Sequence, residues 1–221
     1  MNRKLYLFII IQIVFLQPLF SYTDKVSEIK NNDMSIIWLS RSSTLPISGS
    51  NRLILQFGYS FANVENRKII NYPDIDFGLK LMKNMSITSK IVGLSFGEYS
   101  SHNIGFGMQY FYGREDTLNW ISSIQRAVFK IGSDFKITSI SMDVKRLIKL
   151  KSMQFRIGIG SSFYKKFLFD DGINKLINKE NQINFLSLET ITTYRVLNLG
   201  FHLNITPKGL LSSIFVQKEF L

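Results

Sequence analysis

The chain has 221 residues, no cysteine and a formal net charge of +11. This length is enough for one domain of ordinary size, and the missing cysteines exclude both disulfides and the acylated cysteine of a lipoprotein. We reject nucleic acid as a partner because the chain has features of export and no arginine-rich patch with interleaved aromatics. Basic residues that meet anionic lipid head groups, or that lie in solvated loops, explain the charge more simply.

Residues 1–21 have the layout of a secretory signal peptide. A short basic start, MNRK, is followed by an apolar run from Leu5 to Phe20, and the small residue Ser21 closes the segment. The run is short for a membrane helix of about 20 residues, and glutamines and a proline interrupt it. No later segment is long and apolar enough for a membrane helix. A mature protein that lies in a membrane must therefore be a closed β-barrel, because only helices and barrels pair every backbone group in lipid.

Residues 22–50 form an N-terminal segment that we expect to lie on the periplasmic side or to plug a barrel. Its first part is polar, and residues 34–39 (MSIIWL) are apolar without alternation. The remainder carries Ser, Pro and Gly and is typical of a loop.

The clearest strand is His102–Gly113. Bulky side chains occupy its even positions and small or neutral ones most of its odd positions, with Phe111 as the exception. A period of two predicts a β-strand with two unlike faces.

The same alternation recurs along residues 51–221 and predicts ten strands. They are residues 51–62, 75–82, 85–97, 102–113, 118–131, 134–148, 153–164, 182–197, 199–206 and 210–221. The region 118–148 alternates weakly, so eight or twelve strands stay open. A slip of phase near Ile91 and Val92 predicts a β-bulge, and residues 165–181 are the longest expected loop.

Alternation alone does not say which face is inside. Glycine and serine on the polar face suit a narrow, crowded barrel interior, whereas a water-facing strand usually carries Lys, Glu and Thr. The bulky face carries aromatics that fit the interfacial girdles of membrane barrels: Tyr59, Tyr110, Tyr112, Trp120 and Tyr194. The predicted fold class is therefore all-β, a single antiparallel transmembrane β-barrel at residues 51–221. A soluble secreted barrel, with the apolar face inside and an apolar ligand bound there, is the alternative.

With the signal at 1–21, these strands and a penultimate Phe220, the chain resembles the small outer-membrane β-barrel proteins of Gram-negative bacteria. The resemblance implies a place in the outer membrane. It also implies contact with outer-membrane lipid and lipopolysaccharide, insertion by the barrel-insertion machinery, and a monomer.

Two groups of polar residues are candidates for the lumen. Arg156 and Glu189 fall on inward faces of neighbouring strands, and we expect an ion pair because an unpaired charge in a narrow interior is costly. His202, Asn204 and Gln109 are expected to face the lumen as polar filling.

A lipid-modifying enzyme is a further alternative. In lipid A deacylases a His is followed two residues later by a nucleophilic Ser, but Asn204 stands at that place after His202. We therefore expect no catalytic residues. The sequence has no glycine-rich phosphate loop and no Cys/His metal cluster, so we also expect no cofactor and no metal. The predicted function is a non-enzymatic outer-membrane barrel with a structural, adhesive or narrow-pore role.

Overall fold

The computed structural model describes residues 52–64, 70–96, 99–114, 117–131, 135–150, 153–170 and 175–220. The predictions for residues 1–21 and 22–50 lie outside the described residues. No helix in the described ranges is long and apolar enough to span a membrane.

Ten antiparallel strands form one sheet that closes on itself. They are β1 (Leu53–Val64), β2 (Ile70–Met82), β3 (Met85–Phe96), β4 (Tyr99–Arg114), β5 (Thr117–Ile131), β6 (Phe135–Lys149), β7 (Met153–Asp170), β8 (Lys175–Tyr194), β9 (Leu197–Thr206) and β10 (Gly209–Phe220). Each strand pairs with its neighbours in sequence, and β1 pairs with β10 from Leu53 opposite Phe220 to Val64 opposite Gly209. Closure removes the exposed edges that an open sheet would present.

The predicted strand count and fold class are confirmed, but two local predictions are wrong. Most of the expected loop 165–181 is strand, because β7 continues to Asp170 and β8 begins at Lys175. The alternation of apolar and polar residues weakens there, but the backbone pairing of β7 with β8 continues to Asp170 and Lys175. The bulge expected near Ile91 and Val92 is also absent, since β3 and β4 pair without a break from Met85 to Phe96. The register shifts instead between Lys80 and Met82, and between Tyr112 and Arg114.

The polarity of the wall is the reverse of that of a soluble barrel. Phe106 is 62% exposed and Ile157 is 46% exposed on the outside, whereas Gly105 and Gly158 are buried on the inside. Among the side chains that the structure describes, bulky apolar ones cover the outer face of the strands, and polar residues outnumber apolar ones among those that are buried. An outward apolar band of this kind is the surface that a transmembrane barrel presents to lipid.

Inward-facing glycines give room to large side chains of the adjacent strand. A Cβ at Gly200 would have three atoms of the Phe215 ring as its nearest neighbours. A Cβ at Gly160 would meet the Phe185 ring and, at 2.6 Å, the backbone oxygen of Met142. The glycines that alternate along these strands therefore let the interior close by interdigitation.

The two ends of the barrel differ. At one end, here called the terminal end, β1 begins, β10 finishes, and the turns 83–84 and 195–196 have two residues each. At the other end, here called the loop end, the wall is uneven. β8 pairs with β9 only from Leu186 onward, so residues 175–185 of β8 extend past β9 with β7 as their strand partner in the described chain.

Candidate functional site

The lumen is lined by ionisable side chains of both signs. The buried acids among the described residues are Asp74, Asp76, Asp143 and Glu189, and the buried bases are Lys90, Lys145 and Arg156. The near balance of four acids and three bases keeps the electrostatic cost of a dry interior small, because each charge has an opposite charge on the same or an adjacent strand.

Arg156 and Glu189 face each other in register on β7 and β8. The Nη1 atom of Arg156 donates to Oε2 of Glu189 over 3.2 Å, and the side chains are 1% and 4% exposed. The structure thus brings together the two residues that the sequence placed opposite each other.

Two more polar networks lie inside the barrel. Ser123 donates to Asp143 over 2.7 Å, and Nζ of Lys145 lies 3.6 Å from the same carboxylate. Across the barrel, Gln56 donates to Asp76 over 2.8 Å, and Ser60 donates to Asp74. Cross-strand hydrogen bonds of this kind hold neighbouring strands in register as well as satisfying buried groups.

His202, Asn204 and Gln109 all face the lumen and are almost fully buried. Nε2 of His202 lies 3.1 Å from Oγ of Ser187, and Glu189 is opposite His202 in the β8–β9 register. The sequence pattern of lipid A deacylases has the nucleophilic serine two residues after the histidine, so it does not point to Ser187, which lies on the adjacent strand. Ser187 has no exposed surface, so a substrate in the membrane cannot contact it.

Buried apolar side chains share the lumen with these polar groups and gather toward its two ends, although buried Ser86 and Gln217 lie at the terminal end as well. Toward the loop end the apolar side chains are Ala62, Phe129, Phe135, Ile137, Tyr164, Ile183 and Leu211, and toward the terminal end they are Ile54, Phe111, Ile121, Ile191 and Phe215. The rings of Phe129 and Phe135 meet edge to face at 6.3 Å. Phe111, the exception to the alternation of its strand, is one of those toward the terminal end.

Four of the five aromatics predicted for a girdle lie at the terminal end. Tyr110 stacks on Tyr112 at 6.2 Å between ring centroids, and Tyr112 stacks on Trp120 at 6.4 Å. Tyr194 is 60% exposed beside the β8–β9 turn. Tyr59 lies instead near the middle of β1. The interfacial role of this group stays a prediction.

Within the described residues, no group of three or more His, Cys, Asp or Glu side chains has the arrangement of a metal site. Asp74 and Asp76 were not among the predicted lumen residues. Both are separated from Gly78 on β2 by an even number of residues, so they share its face of the strand, and this spacing could have placed both inside.

Comparison with known proteins gives structural likenesses only. No protein-family model matches the chain, and no curated protein matches it. Among solved structures, the translocator domain of the autotransporter NalP from Neisseria meningitidis aligns at TM-score 0.43 and 8% identity, covering 90% of this chain and 97% of that one.

A KdgM porin in complex with disordered oligogalacturonate aligns at TM-score 0.42 and 5% identity, covering 76% of this chain and 99% of that one. Ail, the attachment invasion locus protein of Yersinia pestis, aligns at TM-score 0.32 and 7% identity, covering 76% and 95%. Because these TM-scores are below 0.5, the class of the protein rests on its own geometry. A closed ten-strand wall with an apolar outside and a polar inside defines an outer-membrane β-barrel protein.

Proposed function

We propose that this protein is a non-enzymatic barrel of the Gram-negative outer membrane that conducts no solute and has a structural or adhesive role. The observation that carries the proposal is the packed lumen. Buried polar side chains and buried apolar ones fill the lumen together, and Phe129 and Phe135 lie among the apolar ones toward the loop end. Water-filled barrels need about sixteen strands, and a ten-strand barrel is narrow enough for side chains to fill it.

The uneven loop end supports a role in display. β7 and β8 pair continuously from Met153 opposite Thr192 to Asp170 opposite Lys175, far beyond the end of β9. A membrane-spanning strand needs only about 9–11 residues. The upper part of this hairpin therefore rises above the lipid, where it can contact other cells or envelope components.

The orientation follows from the connections. Outer-membrane barrels have short periplasmic turns and longer outer connections. The turns 83–84 and 195–196 at the terminal end have two residues each, but so has the turn 207–208 at the loop end. The orientation therefore depends on the β7–β8 hairpin, which extends beyond β9 at the loop end. The loop end is accordingly the outer one, with export directed by residues 1–21 and assembly by the barrel-insertion machinery as a monomer.

The burial of the Ser187–His202 pair supports the non-enzymatic assignment. Both groups lie inside the packed lumen, whereas a lipid-modifying site would have to open toward the bilayer. The exposed apolar wall likewise argues against a soluble carrier, which would keep its apolar face inside.

Conductance and solute uptake test the proposal directly. The full chain, reconstituted in lipid vesicles and planar bilayers, is expected to show neither sugar uptake nor steady unitary conductance, while a sixteen-strand porin in the same vesicles shows both. Stable conductance steps from the wild-type barrel would contradict the proposal and favour a narrow pore. Replacing Phe129 and Phe135 with Ala is expected to create leak, which shows that the assay detects a lumen opened at the loop end.

Epitope insertion tests the orientation. A tag placed within residues 171–174 is expected to be detected by antibody on intact cells, whereas the same tag in the turn 195–196 is detected only after the outer membrane is permeabilised. The opposite pattern would invert the barrel, and recovery of the wild type in the aqueous periplasm would support the soluble alternative.

A further inference from the structure

Four basic side chains project from the outer face of the wall toward its loop end. They are Arg126 and Lys130 on β5, Lys136 on β6 and Lys165 on β7, here called the basic patch. Glu180 is the acidic side chain that the described residues place beside them on this face, and its Oε1 lies 2.7 Å from Nζ of Lys165. The described part of the patch therefore carries a net excess of three positive charges.

Lys130 and Lys136 lie directly opposite each other in the β5–β6 register. Both side chains are exposed on the same face, and no described carboxylate lies within 4 Å of either ammonium group. Like charges directly opposite in an antiparallel pair destabilise the sheet. An anion that carries more than one negative charge would offset this repulsion by lying between them.

An aromatic ring holds part of the patch together. Nζ of Lys136 lies 5.9 Å from the centroid of the Phe167 ring, and Nζ of Lys165 lies 5.4 Å from the same centroid. Phe167 is opposite Lys136 in the β6–β7 register. Two ammonium groups held at one ring are restrained before any ligand binds, which lowers the entropy cost of binding.

Two grooves in which apolar side chains lie beside polar ones adjoin the patch. One, of about 550 Å³, is lined by Ile140 and Phe163, by the basic residues Arg126 and Lys165, and by the acid Glu180 among others. A second, of about 380 Å³, is lined by Ile104, Phe106, Val128 and by Arg126 and Lys130. Arg126 thus stands between two surface depressions that combine apolar and basic side chains.

A larger hollow extends from the groove of about 550 Å³ toward the terminal end on β4–β6, and on β9 it reaches the loop-end turn at Pro207. Its volume is about 1260 Å³, and most of its lining consists of outward-facing side chains of β4–β8, including Met108, Ile124, Met142 and Ile159. Ser161, Gln182 and Asn184, which are hydrogen-bonded to one another, also line it. Phe163 lines both this hollow and the groove of 550 Å³. The outer wall therefore offers an apolar surface below and a basic surface above, in the order that an outer-leaflet lipid presents its acyl chains and its head group.

We propose that the basic patch and the hollow beneath it bind lipopolysaccharide, with the phosphates on Arg126, Lys130, Lys136 and Lys165 and the acyl chains along the hollow. The inference rests on the proposed outer position of the loop end. The positive charge of the patch favours a phosphorylated lipid. Because Lys130 and Lys136 face each other, the lipid must place more than one negative phosphate charge within reach of both lysines.

Direct binding of lipopolysaccharide to the folded full-length barrel in detergent tests the site. The probe is fluorescently labelled lipopolysaccharide, and the variant combines Arg126→Gln, Lys130→Gln and Lys136→Gln. At roughly fivefold in affinity for each basic residue near an anionic lipid surface, the triple variant is expected to bind about a hundredfold more weakly. The wild-type protein is likewise expected to bind dephosphorylated lipopolysaccharide more weakly than the intact lipid.

The matched control uses basic residues in the same chemical setting at the opposite end. Arg146 lies 5.8 Å from the Trp120 ring centroid, and Lys218 lies 4.9 Å from that of Phe220. The double variant Arg146→Gln and Lys218→Gln is expected to retain wild-type affinity.

Equal affinity of the triple variant and the wild type would overturn the proposal, as would equal binding of dephosphorylated lipopolysaccharide. Equally tight binding of phosphatidylglycerol micelles would show a general anionic surface and would also overturn it. Heat-modifiable gel mobility and the absence of conductance, measured on the same samples, separate failure of this site from failure of the closed-barrel proposal.

Discussion

The Arg156–Glu189 pair gives the sharpest test of how the lumen is stabilised. In the Glu189→Gln variant the shape of the side chain and one acceptor oxygen are kept, but the negative charge is lost. Arg156 is then a buried cation, 1% exposed, whose hydrogen bond at 3.2 Å has a neutral acceptor in place of a charged one.

The expected cost follows from two effects. Removing one partner of a buried ion pair costs about 3–5 kcal/mol because the remaining charge stays desolvated. Arg156 keeps its charge, so its hydrogen bond to the amide oxygen is still charge-assisted and recovers part of that loss. We expect Glu189→Gln to lower the free energy of unfolding by about 2–3 kcal/mol.

The reciprocal variant distinguishes pairing from net charge. Arg156→Gln leaves the four buried acids of the described lumen with Lys90 and Lys145, whereas Glu189→Gln leaves equal numbers of acids and bases. Arg156→Gln is therefore expected to be the more destabilising of the two. The double variant is expected to be less destabilised than the sum of the single ones by at least about 1 kcal/mol, as for residues in direct contact.

Urea titration of the reconstituted barrel, followed by heat-modifiable mobility and tryptophan fluorescence, measures these differences. Ser161→Ala provides a control on the outer face of β7, where the side chain is bound to Asn184 at 2.7 Å and carries no charge. Single variants that each cost less than about 0.5 kcal/mol, and whose effects add, would refute the view that this pair stabilises the lumen.

Further substitutions test the packing, the bilayer position and one turn. Gly200→Ala is expected to cost about 1–3 kcal/mol because its Cβ would overlap the Phe215 ring; Phe215→Leu in the same chain should recover most of that loss in urea titration. Ile159→Arg, at a side chain 68% exposed in the middle of the wall, is expected to cost about 2–4 kcal/mol in lipid vesicles. Met153→Arg, at the terminal end, should cost about 1 kcal/mol or less, and equal costs would contradict the assigned bilayer position. Arg195→Gly should raise stability by up to about 1 kcal/mol because Arg195 has a φ of 56°; a loss measured by thermal unfolding would show that its contact with the adjacent tyrosine ring outweighs that strain.

The sequence predicted the strand count because lipid enforces alternation. An outward position in the bilayer costs free energy when it is polar, so strands such as His102–Gly113 keep a period of two across the membrane. Beyond the lipid both faces meet water, and the constraint disappears. That is why residues 165–170 and 175–181 looked like a loop although their backbone continues the β7–β8 ladder.

Contacts inside the lumen were predictable only where both partners lie on adjacent strands with a known register. Arg156 and Glu189 meet that condition because the β7–β8 hairpin is symmetric about its turn. The contact of Ser187 with His202 depends on the β8–β9 register. The sequence predicts the turn between these strands at residues 197–198, whereas it lies at 195–196, two residues earlier. A shift of two residues keeps every side chain on its face but exchanges its cross-strand partner.

The same reasoning explains why the basic patch was not seen in the sequence. Lys130 and Lys136 flank a predicted turn, where basic residues are common and carry little information. Only the register places their side chains opposite each other and beside Phe167, above an apolar hollow. In the lumen, acids and bases on the same or adjacent strands offset one another's charge. On the outer wall near the loop end, three positive charges have no acidic side chain among the described residues to offset them. A barrel that balances its buried charges so closely, yet keeps like charges opposite each other on its lipid-facing side, has a physical reason to recruit the missing anions from the membrane.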